Sequence, residues 1–403
     1  MLSLADVEAA RERVVRTARE TPMRHSHTFS AMTGADVHLK LENFQRTGAF
    51  KIRGATNRIT TLSAAEQAAG VVTASAGNHA QGVALAASRL GVDAKIVMPE
   101  HAPISKVNAT RSYGAEVVLH GHDYSEAAEH AHMLEREEDR TYVPAFADEQ
   151  VMAGQGTLGL EMLEQCPGVD TVVVSVGGGG LISGVATAIK ANRPDVRVVG
   201  VQAEGAASLP QSLERGEIYE RDAVDTMADG IATRRVGDLP FEVIQERVDE
   251  VVTVSDPEIA MAVLYLLERS KTLVEGAGAA PLAAVLQERF DYADEETIVA
   301  CLSGGNIDLN TLTTVIVRGL VETGRYVKFE TVLKDRPGAL DDLISVISAA
   351  KANIYRIQHD RSSRDIDMNA AEVELELETR GHDHVADLID KLEANGYEVD
   401  LLV

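Results

Sequence analysis

From Thr171 the chain runs Thr171-Val172-Val173-Val174-Ser175-Val176 and then Gly177-Gly178-Gly179-Gly180-Leu181. A β-branched run without polar alternation predicts a strand covered on both faces, the pattern of a parallel sheet between helices. The apolar stretch Ile182–Ala191 predicts the helix that follows. The four glycines fall in the strand-to-helix turn. There the backbone N–H groups can wrap an anion such as phosphate, and the helix dipole favours its charge. A merely flexible turn rarely needs four glycines in succession. The lysine of a Walker loop and the spacing of a dinucleotide fingerprint are both missing.

The same texture extends in both directions. Val196–Val201 and Thr297–Leu302 are further short apolar runs. Upstream, Val37–Leu41, Gly70–Ala74, Ala94–Pro99 and Ala115–Leu119 are strand-like, with helix-like stretches Asn78–Leu90 and Pro103–Tyr113 between them. That rhythm predicts parallel βαβ units, hence an α/β fold with open parallel sheets. At the start, Ser3 with Asp6 three residues on predicts a capped helix. The texture breaks near Gly324. Beyond it come strand Tyr326–Leu333, helix Ala339–Ala350, strand Asn353–His359, strand Ala371–Thr379, helix Asp383–Asn395 and strand Tyr397–Val403. This βαββαβ order is the ferredoxin-like arrangement. We therefore expect a main α/β region over residues 1–325 and a small domain over residues 326–403.

Bulk properties exclude several classes of function. The chain has 403 residues and a net charge of −25, from 63 acidic and 38 basic side chains. Nucleic acid and anionic lipid both need a basic face, so neither is an expected partner. Only ten of the cations are lysines, a balance that suits high salt as well as an ordinary acidic protein. No run of 18 apolar residues exists, so no membrane span is expected. The charged N-terminus lacks a signal peptide's apolar core, and the cytoplasm is the expected compartment. Cys166 and Cys301 stand in no metal-ligand spacing, so neither a disulfide nor a metal is expected.

Three further motifs carry chemistry. Thr47-Gly48-Ala49-Phe50-Lys51-Ile52-Arg53-Gly54 sets a lysine beside an aromatic and between glycines. Desolvation lowers a lysine's pKa and makes its amine nucleophilic, so Lys51 is a candidate Schiff-base residue. Taken alone it reads equally as a surface lysine at a helix start. Ser75-Ala76-Gly77-Asn78-His79 follows a strand directly. Small residues at a helix N-terminus expose N–H groups that suit a carboxylate, although Ser75 could instead simply cap that helix. Cys301-Leu302-Ser303-Gly304-Gly305-Asn306 places a hydroxyl at a strand end.

Taken together and in this order, the four motifs resemble those of the fold-type II pyridoxal-phosphate enzymes, and most closely their serine/threonine dehydratase group. The resemblance covers about residues 5–320. It implies a small subdomain, about residues 55–145, inserted into the larger one, and an ACT-like domain at the C-terminus. It implies that Lys51 holds pyridoxal 5′-phosphate and, once released, moves the substrate's α-proton. Phe50 would lie beside the cofactor ring and Asn78 would donate to its 3′-oxygen. Gly177, Gly178, Gly179, Gly180 and Leu181 would cradle its phosphate, and Ser303 would sit at the pyridine nitrogen. A serine there leaves the ring largely neutral, which favours loss of a β-leaving group over transamination. Ser75, Ala76, Gly77, Asn78 and His79 would hold the substrate carboxylate.

The implied reaction is that of a carbon–nitrogen lyase. It converts L-threonine to 2-oxobutanoate and ammonia, and L-serine to pyruvate. Serine racemase shares the motifs but carries a proton-bearing serine where this chain has Ala76. The group's metal site near Glu204 is also incomplete, since Pro210 replaces a carboxylate. β-Replacement enzymes share the fold, and an amino-acid sensor without activity is a reading from another class. Asp335, Pro337, Gly338, Asn353 and Ile354 resemble the effector-binding edge of ACT domains. They imply either control by an end-product amino acid, as in isoleucine biosynthesis, or a dimerisation module. A homo-oligomer, tetramer or dimer, is the implied assembly.

Overall fold

The computed structural model describes residues 2–361, 367 and 369–402. It divides into two compact units, Met1–Leu309 and Asn310–Val403. In the first unit the strands are β1 (Met23–His25), β2 (Asp36–Leu41), β3 (Val71–Ala74), β4 (Ala94–Met98) and β5 (Glu116–Leu119). They continue with β6 (Thr141–Tyr142), β7 (Thr171–Ser175), β8 (Arg197–Ala203), β9 (Glu250–Val254) and β10 (Thr297–Leu302). They form two sheets. The larger has the order β1-β2-β10-β7-β8-β9 and the smaller β5-β4-β3-β6. Every pairing is parallel except β1 with β2.

The β-branched runs behave as their composition demands. All five residues of β7 are buried, because helices cover both faces of a parallel sheet. Val172, Val174 and Val198 pack with Leu158, Ile182 and Val185 into the core of the larger lobe. The smaller lobe has its own core, with Val71, Ile96, Met98 and Val83. The helix Ile52–Thr60 joins the two. Its Ile52, Ala55 and Ile59 enter the smaller lobe's core, while a β-carbon on Gly54 would touch Val151 and Gln155 of the helix Glu149–Gln165. Lys51 stands at the head of this joining helix.

Beneath Lys51 lies a buried set of charges. Arg53 donates to both oxygens of Glu42 at 2.8 Å and to those of Glu161 at 2.6 and 2.8 Å. Lys40 donates to Glu161 at 2.6 Å and to the Thr21 carbonyl at 2.7 Å. Burial alone would raise the Glu42 carboxyl. Arg53 and the Thr21 hydroxyl more than reverse this and hold it below the usual carboxylate range. The two cysteines are free and buried.

Helices Glu149–Gln165 and Gly180–Asn192 cross at glycines. A β-carbon on Gly184 would lie 2.2 Å from the Met152 carbonyl oxygen, so the backbones would have to separate. Gly184→Val is therefore expected to destabilise the first unit by about 1–3 kcal/mol or more. Denaturant unfolding followed by far-UV circular dichroism measures it, and an unchanged midpoint would refute the close crossing.

The second unit has strands β11 (Tyr326–Lys334), β12 (Asn353–Asp360), β13 (Ala370–Glu378) and β14 (Asp400–Leu401) in the antiparallel order β12-β13-β11-β14. Helices Ala339–Ala349 and His382–Ala394 complete the βαββαβ pattern, and Phe329, Leu343, Ile347, Leu375 and Leu388 fill its core. Two features differ from the expectation. The helix Leu309–Glu322 falls almost wholly in this unit, so the compact units divide before residue 325. The final strand, expected over Tyr397–Val403, is shorter: Asp400 and Leu401 pair with Glu330 and Phe329, and Leu402 N donates to the Lys328 carbonyl at 2.8 Å. Tyr397 and Val399 instead pack onto the core, and Val403 lies outside the described residues. Among the described residues no helix is long and apolar enough to cross a membrane.

Candidate active site

The motif loops meet where strands end. Strands β7 and β10 are parallel neighbours, so the glycine loop and Ser303 emerge side by side at their C-terminal ends, where open α/β sheets place their sites. The Ser303 loop then zips against the Lys51 loop. Phe50 N donates to the Ser303 carbonyl at 3.1 Å and Gly305 N to the Gly48 carbonyl at 2.8 Å. Ala49 and Gly304 form an antiparallel bridge.

Lys51 is half-buried as a residue, but its amine lies deep. Loss of hydration pushes its pKa down to about 8, against the opposing pull of the Glu275 carboxylate. The amine donates to the Ala145 carbonyl at 2.9 Å and lies 5.2 Å from the centre of the Phe50 ring. Ala145 leads into Phe146, which backs the glycine loop. A β-carbon on Gly178 would fall 2.3 Å from the Phe146 ring, and one on Gly180 2.8 Å from the Phe146 carbonyl oxygen. Gly179 takes φ +91°, a left-handed conformation that glycine adopts without strain. It is the N-cap of the helix Gly180–Asn192, and no side chain caps that helix. Leu181 is buried in its first turn.

The Ser75–His79 segment follows β3. Its helix, Asn78–Leu90, has Gly77 as N-cap and no side-chain cap. Ser75 instead accepts from the Gly77 N–H at 3.2 Å, so the serine does not consume the first-turn donors. Ala76 is partly buried and packs against the small-lobe core. His79 is buried, with Nε2 donating to the Val143 carbonyl at 2.9 Å. Burial, with Lys51 close by, pushes its pKa down to about 3. Its Nε2–H is thereby committed to a backbone carbonyl. Ser303 is 4 % exposed.

Residues that motif reasoning left without a role complete the constellation. Glu275, at the N-cap of the helix Gly276–Leu286, accepts from Asn78 Nδ2 at 2.6 Å. Asn306 Nδ2 donates to Asn78 Oδ1 at 2.7 Å. The sequence held a faint signal for each. Glu275 is a lone carboxylate in the otherwise uncharged run Thr272–Leu286, and Asn306 closes the quoted Ser303 motif. Phe146 carried no such signal.

These residues fit pyridoxal phosphate on three independent grounds. A desolvated amine can bond the aldehyde. An uncapped helix N-terminus behind glycines that admit no side chain suits a phosphate. A neutral hydroxyl, Ser303, stands at the adjoining strand end.

The residues suggested for an effector do not converge within one copy of the second unit. Asp335, Pro337 and Gly338 follow β11, where Lys334 pairs with Ala370. Asn353 and Ile354 pair with Glu378 and Leu377 at the opposite end of β13.

Comparison with known proteins gives three findings. Residues 14–304 match the family described as pyridoxal-phosphate dependent enzyme, and residues 323–396 match the ACT domain. Among curated relatives, an L-threonine ammonia-lyase of Geobacter sulfurreducens is 49% identical over 402 residues, covering 100% of both chains. Among solved structures, the processed threonine deaminase isoform 2 of Solanum lycopersicum is 40% identical with a TM-score of 0.76, covering 78% of this chain and 92% of its own. Maize serine racemase is 37% identical with a TM-score of 0.75, covering 79% and 98%.

Proposed function

Because the chain belongs to the pyridoxal-phosphate dependent enzymes and ends in an ACT domain, we propose that it removes ammonia from L-threonine, giving 2-oxobutanoate, and acts likewise on L-serine. One observation carries the assignment of roles: the desolvated Lys51 amine, held by the Ala145 carbonyl beside the residue that backs the glycine loop.

When bound, pyridoxal phosphate supplies an aldehyde for the substrate amine and a conjugated ring that accepts the electron pair left at Cα. Lys51 holds it and, once free, takes the α-proton. An amine near pKa 8 keeps a usable free-base fraction at neutral pH. The Ala145 carbonyl, 2.9 Å away, steers that amine. The N–H groups at the head of the helix Asn78–Leu90 hold the substrate carboxylate. The backbone of Gly177–Leu181 would hold the cofactor phosphate, and Asn78 would offer its remaining N–H to the 3′-oxygen. Ser303, a neutral partner for the ring nitrogen, disfavours transamination. The second unit binds an amino-acid effector in the homo-oligomer, and the enzyme works in the cytoplasm.

Racemisation is the competing reaction, since a serine racemase is among the similar structures. It requires a second proton-carrying group facing Lys51. Ala76 carries none, and His79 is held neutral with its Nε2–H engaged. The test supplies the full-length protein with pyridoxal phosphate and L-threonine, then assays keto acid, ammonia and the configuration of recovered threonine. Equal amounts of 2-oxobutanoate and ammonia are expected. D-allo-Threonine, the product of inversion at Cα alone, formed without keto acid would overturn the assignment.

A further inference from the structure

The hydrogen bonds of Asn78 leave its amide little freedom. Asn306 Nδ2 donates to Asn78 Oδ1 at 2.7 Å and to the Thr47 carbonyl at 2.6 Å. Asn78 Nδ2 donates to Glu275 Oε1 at 2.6 Å. A primary amide has one acceptor oxygen and two N–H donors. With the oxygen held by Asn306 and one N–H held by Glu275, a single N–H is left. Turning the amide over would break both bonds and set its oxygen against the Glu275 carboxylate.

Glu275 is itself enclosed by backbone. A β-carbon on Gly304 would stand 2.5 Å from its Oε1, and one on Gly230 3.3 Å. Among the described residues, charged groups on three elements act on it or feel it. They are Lys51 before the helix Ile52–Thr60, Lys106 on the helix Ile104–Ser112, and Asp229 on the turn Asp229–Ile231. Burial pushes the Glu275 carboxyl up to about 7, against hydrogen bonding from Asn78 and the charge of Lys106.

We propose that Glu275 is a positioning residue of this site: it locks the Asn78 amide so that its remaining N–H serves the cofactor, and its charge supports a proton on the Lys51 nitrogen. This rests on Lys51 being the cofactor lysine. An ionised carboxylate nearby favours the charged form of a nitrogen. As pH falls and Glu275 takes up its own proton, that support is withdrawn. The two groups therefore titrate as a pair.

The experiment is a pH titration of visible absorbance on the full-length protein loaded with pyridoxal phosphate. Glu275→Gln keeps the shape and the acceptor oxygen but carries no charge. Its absorbance midpoint is expected to move toward acid by about one pH unit, a tenfold loss of proton affinity. A midpoint coinciding with that of the unsubstituted protein overturns the proposal. Should Glu275→Gln fail to fold, Glu275→Asp, whose carboxylate is one methylene short of the Asn78 amide, carries the test through the cofactor dissociation constant. About a tenfold rise is expected from losing the bond that holds the Asn78 N–H, and an unchanged constant overturns the proposal. If the unsubstituted protein shows no visible band with added cofactor, the assignment of Lys51 fails and this inference falls with it. A normal band with an unshifted Glu275→Gln midpoint removes this inference alone.

Discussion

Lys51→Ala, supplied with pyridoxal phosphate, is expected to show no protein-bound visible band and to deaminate L-threonine slower by on the order of 10⁴-fold. Two losses combine in that figure, the covalent hold on the cofactor and the base that moves the α-proton. The fold should survive. Among the described residues the Lys51 amine makes one hydrogen bond, to the Ala145 carbonyl, and burial disfavours its charge. Lys51→Arg should be equally inactive, because a guanidinium keeps its proton at any working pH. The absorbance spectrum and a keto-acid assay check both variants. A retained band in Lys51→Ala would assign the cofactor to another lysine.

Arg53→Met is expected to cost about 3–5 kcal/mol of stability. Arg53 is 1 % exposed and Glu42 0 %. Removing the guanidinium leaves Glu42 without a cationic hydrogen-bond donor and strips Glu161 down to Lys40. The penalty comes from the carboxylates left behind rather than from the lost methylenes, which methionine largely replaces. The sharper measurement is therefore the double variant. Arg53→Met with Glu42→Gln removes one charge of each sign and keeps the Lys40–Glu161 pair, so it should recover most of the loss. Denaturant midpoints of the single and double variants decide the matter. A single variant as stable as the unsubstituted protein would show that the charges under Lys51 do not hold its helix in place.

How much of this could be read before the structure varies by element. The strand at Thr171–Ser175 was legible because its unbroken run of three valines has one stable environment, the middle of a covered sheet. The second unit was legible because its strands alternate, as Val327, Phe329, Thr331 and Leu333 do on the buried face of β11. Its last strand was not. The segment after Tyr397 has strand character throughout, but Tyr397 and Val399 are drawn onto the core, and only Asp400–Leu402 reach the edge of β11. The helix Leu309–Glu322 shows the same limit, since its sequence does not say which core it joins.

The motifs divide along similar lines. Backbone chemistry belongs to local sequence. Four glycines after a buried strand, or small residues heading a helix, expose N–H groups wherever they fold. The sequence alone therefore determined the α/β class and the ferredoxin-like second unit, and it singled out Lys51 and the two loops as candidates. Side-chain chemistry at a distance does not belong to it. Glu275 lies 197 positions from the Asn78 that donates to it, and Asn306 lies 228. Only the tertiary structure joined them and set Ala145 against the Lys51 amine. It also placed Asp335–Gly338 and Asn353–Ile354 at opposite ends of β13 within one copy of the second unit. The physical reason is that hydrogen bonds and desolvation act over a few ångströms, and the path of the chain decides which residues come that close.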